Sequence, residues 1–181
     1  SNTEGDYIFI PVLPEGYTLA DGVELPQITV TVVGAALFAM TGATADYSWY
    51  DDNKDAVLFE INSEAQLKEL ADIVNGNHGN AFGFTGRIVE LTQDLDLSAY
   101  DNWTPIGTST NAFAGDFNGN HHTISNLTVN APNQDYIGLF GVVQGAVSNL
   151  NLSNVSIIGY ENVGGVAGDV TNSLTNCSVT G

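Results

Sequence analysis

Apolar and polar residues alternate along much of the chain with a period of two, and in one convincing place with the period of a helix. Gln27–Val32 alternates strictly, as a half-buried strand does, and Tyr7–Val12 is a second β-like run. Pro14-Glu15-Gly16 and Asp21-Gly22 supply turns between them. Two strands do not support a core of their own. Residues 1–33 are therefore expected to belong to a larger sheet, with Gly34–Asp46, rich in Ala, Gly and Thr, as linker to a unit over residues 47–181. That unit opens with Ser48-Trp49-Tyr50, a polar turn at Asp51–Asp55 and a strand over Ala56–Ile61. The predicted helix is Glu64–Asn75. Ser63 and Gln66 form a capping box, Leu67, Leu70, Ala71 and Val74 make one apolar stripe, and Gly76 stops it. Period-two alternation resumes at Arg87–Thr92 and Asp94–Leu97.

From residue 113 onward the pattern repeats. Ser125-Asn126-Leu127-Thr128-Val129, Ser148-Asn149-Leu150-Asn151-Leu152 and Thr175-Asn176-Cys177-Ser178-Val179 are spaced by 23 and 27 residues, and Gly138-Leu139-Phe140-Gly141 returns 27 residues on as Gly165-Val166-Ala167-Gly168. A period in the twenties with room for short strands and none for a helix predicts an all-β solenoid, a parallel β-helix whose exposed first turn the helix covers. Alternate side chains then point inward: Phe117, Ile124, Leu127, Val129, Phe140, Val147, Leu150, Leu152, Val155, Val166, Cys177 and Val179. Leu127, Leu150 and Cys177 are expected in one column, Asn126, Asn149 and Asn176 in one hydrogen-bonded ladder, and the glycines at corners of positive φ. The start without Met and the break in mid-pattern at Gly181 lead us to expect a piece of a longer protein, its last turn open to end-to-end packing.

These phrases also carry a family resemblance. "WTPIG", "FAGDFNGNHHTISNL", "YIGLFG" and "NVGGVAG" are similar to the GLUG-motif family of bacterial surface proteins, and "INSEAQLKELADIVN" with "FTGRIVELTQDLDLS" resembles the segment leading into such repeats. The resemblance covers roughly Ser48–Gly181. It implies a right-handed parallel β-helix in large exported proteins, often of Gram-positive gut bacteria and sometimes beside peptidase or glycan-acting domains. No catalytic residues belong to the motif, so none carry over. His121-His122 stands where the family tends to have Gly-His, which implies a less tight corner. Tyr7–Val33 resembles the closing strands of small immunoglobulin-like repeats.

Charge changes the picture next. Asp and Glu number 21 against 3 Lys and Arg, a formal −18. Such a field repels nucleic acid and anionic membranes. The apolar run Ile28–Met40 is too short and too broken by Gly34 to span a bilayer. The single Cys177 allows no internal disulfide and reads as a core residue. The acidic turn after Tyr50 lacks the EF-hand spacing and reads as a solvated tip. His121 and His122, as strand neighbours, point to opposite faces, so joint metal ligation with Asp116 is awkward. No cofactor is expected. The Asn-x-Ser/Thr sites at Asn102, Asn126, Asn151, Asn154 and Asn176 read as glycosylation acceptors or as structural amides, and the ladder explains more of them.

The expected function is a non-catalytic stalk or adhesion module of an exported, cell-surface bacterial protein, with a host glycan or surface protein as partner. Tyr100, Trp103 and Tyr136, near the irregular loops Tyr100–Asn111 and Asn130–Asp135, are the candidates for stacking on sugars. The alternative is a fragment of a glycan-cleaving enzyme acting on a neutral polysaccharide through Asp94, Asp96 and Asp116.

Overall fold

The computed structural model describes residues 5–9, 28–32 and 45–181. The chain divides into two compact units, Ser1–Thr44 and Ala45–Gly181. In the first, β1 (Gly5–Phe9) and β2 (Ile28–Val32) pair antiparallel, Tyr7 opposite Val30. The turns expected at 14–16 and 21–22, and linker residues 34–44, lie outside the described residues.

The second unit begins two residues earlier than expected. The Asp46 carboxylate accepts from Ser48 N, and its own N–H donates to Glu69 Oε1 at 2.9 Å. A four-residue helix α1 (Ser48–Asp51) precedes β3 (Leu58–Ile61). Helix α2 spans Glu64–Asn75 with Ser63 accepting from Gln66 N and Gly76 left-handed at φ 83°, as the capping signals require. Leu67, Leu70, Ala71, Ile73 and Val74 are all buried in one core shared with the strands.

The strands that follow are short: β4 (Ile88–Leu91), β5 (Leu95–Asp96), β6 (Asp116–Asn118), β7 (Thr123–Ser125) and β8 (Thr128–Asn130). After them come β9 (Phe140–Val143), β10 (Ala146–Ser148), β11 (Asn151–Ser153) and β12 (Ser156–Ile158). The last are β13 (Ala167–Val170), β14 (Ser173–Thr175) and β15 (Ser178–Val179). All pair in parallel, in rows β3-β4-β6-β10-β14, β5-β7-β11-β15, β8-β12 and β9-β13. In the first row Phe59, Val89, Phe117, Val147 and Leu174 stand in one column, 30, 28, 30 and 27 residues apart. A three-residue strand has one inward position, and in β6, β7, β8, β10 and β11 only the middle side chain is buried. Phe59, Phe84, Phe113, Phe140 and Phe117 link ring to ring through the core, with centroids 5.1–6.1 Å apart along that path.

The expected columns need correction. Leu150 and Cys177 do share one, because Ser148 faces Thr175 and Asn151 faces Ser178. Leu127 does not: it lies one corner further round, opposite Val155. The ladder likewise is two ladders. Asn149 donates to Asn118 and accepts from Asn176, both at 3.0 Å. Asn126 donates to Asp96 Oδ1 at 2.7 Å and accepts from Asn154. The 23-residue step joined two different corners of successive returns. Their wording agrees because both bends have the same local need, a left-handed residue followed by an inward apolar one: φ is 60° at Asn126, 52° at Asn149, 51° at Asn154 and 58° at Asn176. Asn tolerates that region better than other side chains.

Glycine therefore has a different job from the one expected. Of the corner glycines in the stacked part, Gly107 has positive φ (86°), whereas Gly145 does not; a Cβ there would strike the Gly115 carbonyl of the neighbouring return. Among the other inward candidates Val155 and Cys177 are half-buried, and Val179 is 46% exposed because no further strand packs on it among the described residues.

Replacing Asn149 separates the two contributions at a corner. Asn149→Gly keeps the backbone and loses two amide hydrogen bonds, an expected cost of about 1–2 kcal/mol. Asn149→Ala loses the bonds and strains the left-handed residue, so it should cost about 1 kcal/mol more. Equal denaturation midpoints for the two variants would remove the conformational part of this account.

Candidate functional site

Where a row of strands ends, side chains take the place of a missing neighbour. The Asn75 amide at the end of α2 donates to Pro105 O at 3.0 Å and accepts from Gly107 N at 2.9 Å, as a peptide group of an adjoining strand would. Asn102 does the same for Asn130, accepting from its N–H at 2.7 Å and donating to its carbonyl at 3.4 Å. Glu64 accepts from Asp96 N, Asp94 from Thr123 N, Asp116 from Ala146 N and Asp135 from Glu161 N, at 2.9–3.1 Å. Asn75, Asn102 and Glu64 thus close the free side of a row, where unpaired strand edges are a liability, whereas Asp94, Asp116 and Asp135 tie one return to the next.

The carboxylates weighed as catalysts are among these groups. Asp94 also meets the His122 ring at 3.1 Å, and Asp96 caps the 3₁₀ turn Leu97–Ala99 through Ser98 N while receiving Asn126. Both carboxyls lie below the usual aspartate range, Asp94 chiefly through the Thr123 N–H and Asp96 chiefly through the Asn126 amide. A general acid needs the opposite displacement. His121 and His122 do not act together: Asn120 and His121, at φ 48° and 64°, form a tight two-residue turn closed by His122 N donating to Gly119 O at 2.8 Å. That corner is tight, contrary to the expectation drawn from the family, because His121 accepts the left-handed conformation a glycine would hold. Among the described residues no three of His, Cys, Asp and Glu converge on one point. All five sequon asparagines, Asn102, Asn126, Asn151, Asn154 and Asn176, donate side-chain hydrogen bonds to another return of the chain.

The three aromatic candidates part company. Trp103 is 2% exposed, with its indole N–H donating to Leu139 O at 3.1 Å, so it is a core residue and stacks on no ligand. Tyr100 is half-buried with its ring edge-on to Trp103 at 5.7 Å. Tyr136 alone lines a cleft, of about 190 Å³, between the two irregular loops. One wall is Thr104–Ser109, folded back where Thr108 N donates to Asn111 O and Asn111 N to the Thr108 hydroxyl. The other is Gln134–Ile137, set by the turn in which Gln134 N donates to Ala131 O. Sequence reasoning named both loops but missed Asn75, which fixes the floor from α2; helical periodicity marks it only as the last residue before Gly76. Larger hollows lie beside β3, about 430 Å³, and beside His78, about 340 Å³. Their polar groups are largely engaged: Trp49 Nε1 on Glu69, Gln66 Oε1 on Asn62 N, and Lys54 and His78 on Asp51.

Glu69 is the buried carboxylate of α2, accepting from Trp49 Nε1 and Asp46 N, both at 2.9 Å. Burial pushes its carboxyl up despite those bonds. It therefore holds a proton more readily folded than unfolded, so folding gains as pH falls toward the ordinary Glu value and loses that gain as pH rises through the folded one. Asp94 and Asp96 act oppositely, stabilising above the ordinary Asp value and ceasing to do so as pH falls through their lowered ones. The thermal midpoint should thus rise as pH falls from neutrality toward the ordinary Glu value and drop below about pH 4. Glu69→Gln should flatten that rise. A wild-type profile that only falls from neutrality downward would remove Glu69 from this role.

No family model and no solved structure matches the chain. Two curated proteins are similar to it. Halomucin of Haloquadratum walsbyi is 35% identical over 136 residues, 68% of this chain and 1% of halomucin. A protein named as a Gly-rich membrane protein of Evansella cellulosilytica is 38% identical over 100 residues, 50% of this chain and 12% of that protein. The chain thus spans a small part of either relative. No helix among the described residues is long and apolar enough to cross a membrane.

Proposed function

We propose that residues 45–181 are a non-catalytic module of a cell-surface protein, a right-handed parallel β-helix of the GLUG-motif kind that serves as stalk or adhesion surface. The observation that carries this reading is the use of polar side chains. Asn and Asp, which an enzyme would collect in a cleft, are distributed along the stack as two ladders and as acceptors for backbone N–H groups of the next return. The acidic excess supports it, since a −18 chain stays dispersed at a crowded surface. A relative named as a membrane protein agrees with that location. For residues 1–33 we propose the tail of an immunoglobulin-like repeat, consistent with the antiparallel β1–β2 pair.

At the other end Leu174 and Val179 are half exposed on β14 and β15, a surface shaped for one more parallel turn or for end-to-end packing. Antibodies raised against residues 45–181 should label intact producing cells without permeabilisation. Label seen only after lysis overturns the surface reading. A crystal structure with left-handed winding overturns the β-helix of this kind. Binding to a host-glycan or surface-protein panel would select adhesion over the stalk role.

A further inference from the structure

We infer that the cleft between Thr104–Ser109 and Gln134–Ile137 is a subsite for a single neutral pyranose ring of a glycan; this deepens the surface-module reading and rests on it. The floor is built before any ligand arrives. Asn75 clamps Pro105 and Gly107, Asn111 Nδ2 donates to Asn75 O at 3.2 Å, and Ile106, Gly107 and Ile137 are buried. A fixed floor lowers the ordering cost of binding.

The rim is different. The Thr104, Ser109 and Tyr136 hydroxyls, the Gln134 amide and the second oxygen of Asp135 make no hydrogen bond among the described residues, although the turns carrying them are held by backbone bonds. Tyr136 is the most informative of them. Its φ is 61°, and in the next return of the chain Asn162 occupies the same register with φ 54°, the residue type that region ordinarily takes. Tyrosine bears a strain of about 1 kcal/mol there. Phe84 holds the same φ, 61°, but is fully buried among the rings of Tyr50, Phe59, Phe82 and Phe113, whereas Tyr136 is only half-buried and stacks on no other aromatic among the described residues. Strain of this kind concentrates where a side chain is wanted for its outward chemistry.

The chemistry of the lining selects the ligand. An aromatic residue beside mixed hydroxyl, amide and carboxylate groups matches a ring with C–H bonds on one side and hydroxyls around its edge. No Lys, Arg or His lines the cleft and its one charge is negative, so uronates, sialic acids and phosphates are disfavoured. At about 190 Å³ it takes one ring, the rest of a glycan lying in solvent.

The test is an amide chemical-shift titration of the whole chain with the methyl glycosides of glucose, galactose, mannose and N-acetylglucosamine, with glucuronate alongside. At least one neutral glycoside should shift Thr108, Ser109, Gln134 and Tyr136 together, with a dissociation constant of about 1 mM or weaker, and glucuronate should not. Tyr136→Asn copies the Asn162 corner, so its melting temperature should equal or exceed that of the wild type while affinity falls about tenfold. The inference is overturned if no neutral glycoside moves the cleft at about 100 mM, if glucuronate or a basic peptide moves it as much, or if Tyr136→Asn binds as well as the wild type. Labelled cells with a silent cleft would remove the subsite alone. Sugar binding by a protein confined inside cells would remove the surface reading alone.

Discussion

Phe113→Ala is expected to destabilise the second unit by about 3–5 kcal/mol, lowering its melting temperature by roughly 10–20 °C. Phe113 is fully buried and its ring lies 6.1, 6.4 and 5.4 Å from Phe84, Phe117 and Phe140, so it joins aromatic side chains of three successive returns. Truncation leaves a cavity that no single return is free to close, because each is pinned by parallel hydrogen bonds on either side. In the solenoid proposed above each turn touches only its neighbours, so the damage should also divide the molecule. Urea unfolding followed by circular dichroism and by the fluorescence of Trp49 and Trp103 should then give separated midpoints, where the wild type gives coincident ones. A loss under about 1 kcal/mol would mean that the ring lies at the margin of the core and not at its centre.

Asn75→Ala is the second large effect, expected at about 2–4 kcal/mol. It leaves Pro105 O and the buried Gly107 N–H without partners at the end of a sheet row, each worth about 1–3 kcal/mol when unsatisfied. Asn75→Asp keeps an acceptor for Gly107 and loses the donor to Pro105, so it should cost about half as much. Hydrogen exchange at the Gly107 amide gives a direct reading: slow in the wild type, intermediate in Asn75→Asp and fast in Asn75→Ala. Unchanged exchange in Asn75→Ala would show that another group, not the Asn75 amide, closes that edge.

Much of this was legible before any coordinates. The helix Glu64–Asn75 appears with the bounds, cap and stop that Ser63, Gln66 and Gly76 announce, because capping is decided within a few residues. The strands around Leu58–Ile61, Ile88–Leu91 and Leu95–Asp96 were legible for a similar reason, as were most of the inward side chains, since alternation is a property of the extended backbone itself. The 27-residue offset between Phe140 and Ala167 is also visible in the chain and is realised as parallel pairing.

The register was not legible. The Ser-Asn-Leu wording is a record of local conformation, a left-handed Asn before an inward apolar residue, and the chain uses that bend at two different corners, Asn126 and Asn154 at one and Asn149 and Asn176 at the other. Which corner lies on which is settled by the lengths of the intervening loops and by the hydrogen bonds between returns. That is why Asn126 answers to Asn154 and Asp96, and Asn149 to Asn118 and Asn176. The same limit applied to the aromatic candidates. Trp103 and Tyr136 both stand beside Gly- and Asn-rich loops, yet one reaches Leu139 O in the core and the other faces an open cleft.

What the sequence determined by itself was therefore the helix Glu64–Asn75, the alternation of the strands, the acidic composition and the existence of a repeat, all consequences of interactions within a few residues or of composition, but not the short helix Ser48–Asp51 or the 3₁₀ turn Leu97–Ala99. The tertiary structure alone decided which asparagines share a ladder, why Gly145 has no side chain, and how Asn75, Thr108 and Tyr136 come to border one cleft. Those outcomes depend on contacts between segments some 30 residues apart, where close packing against the neighbouring return selects among bends that are locally equivalent.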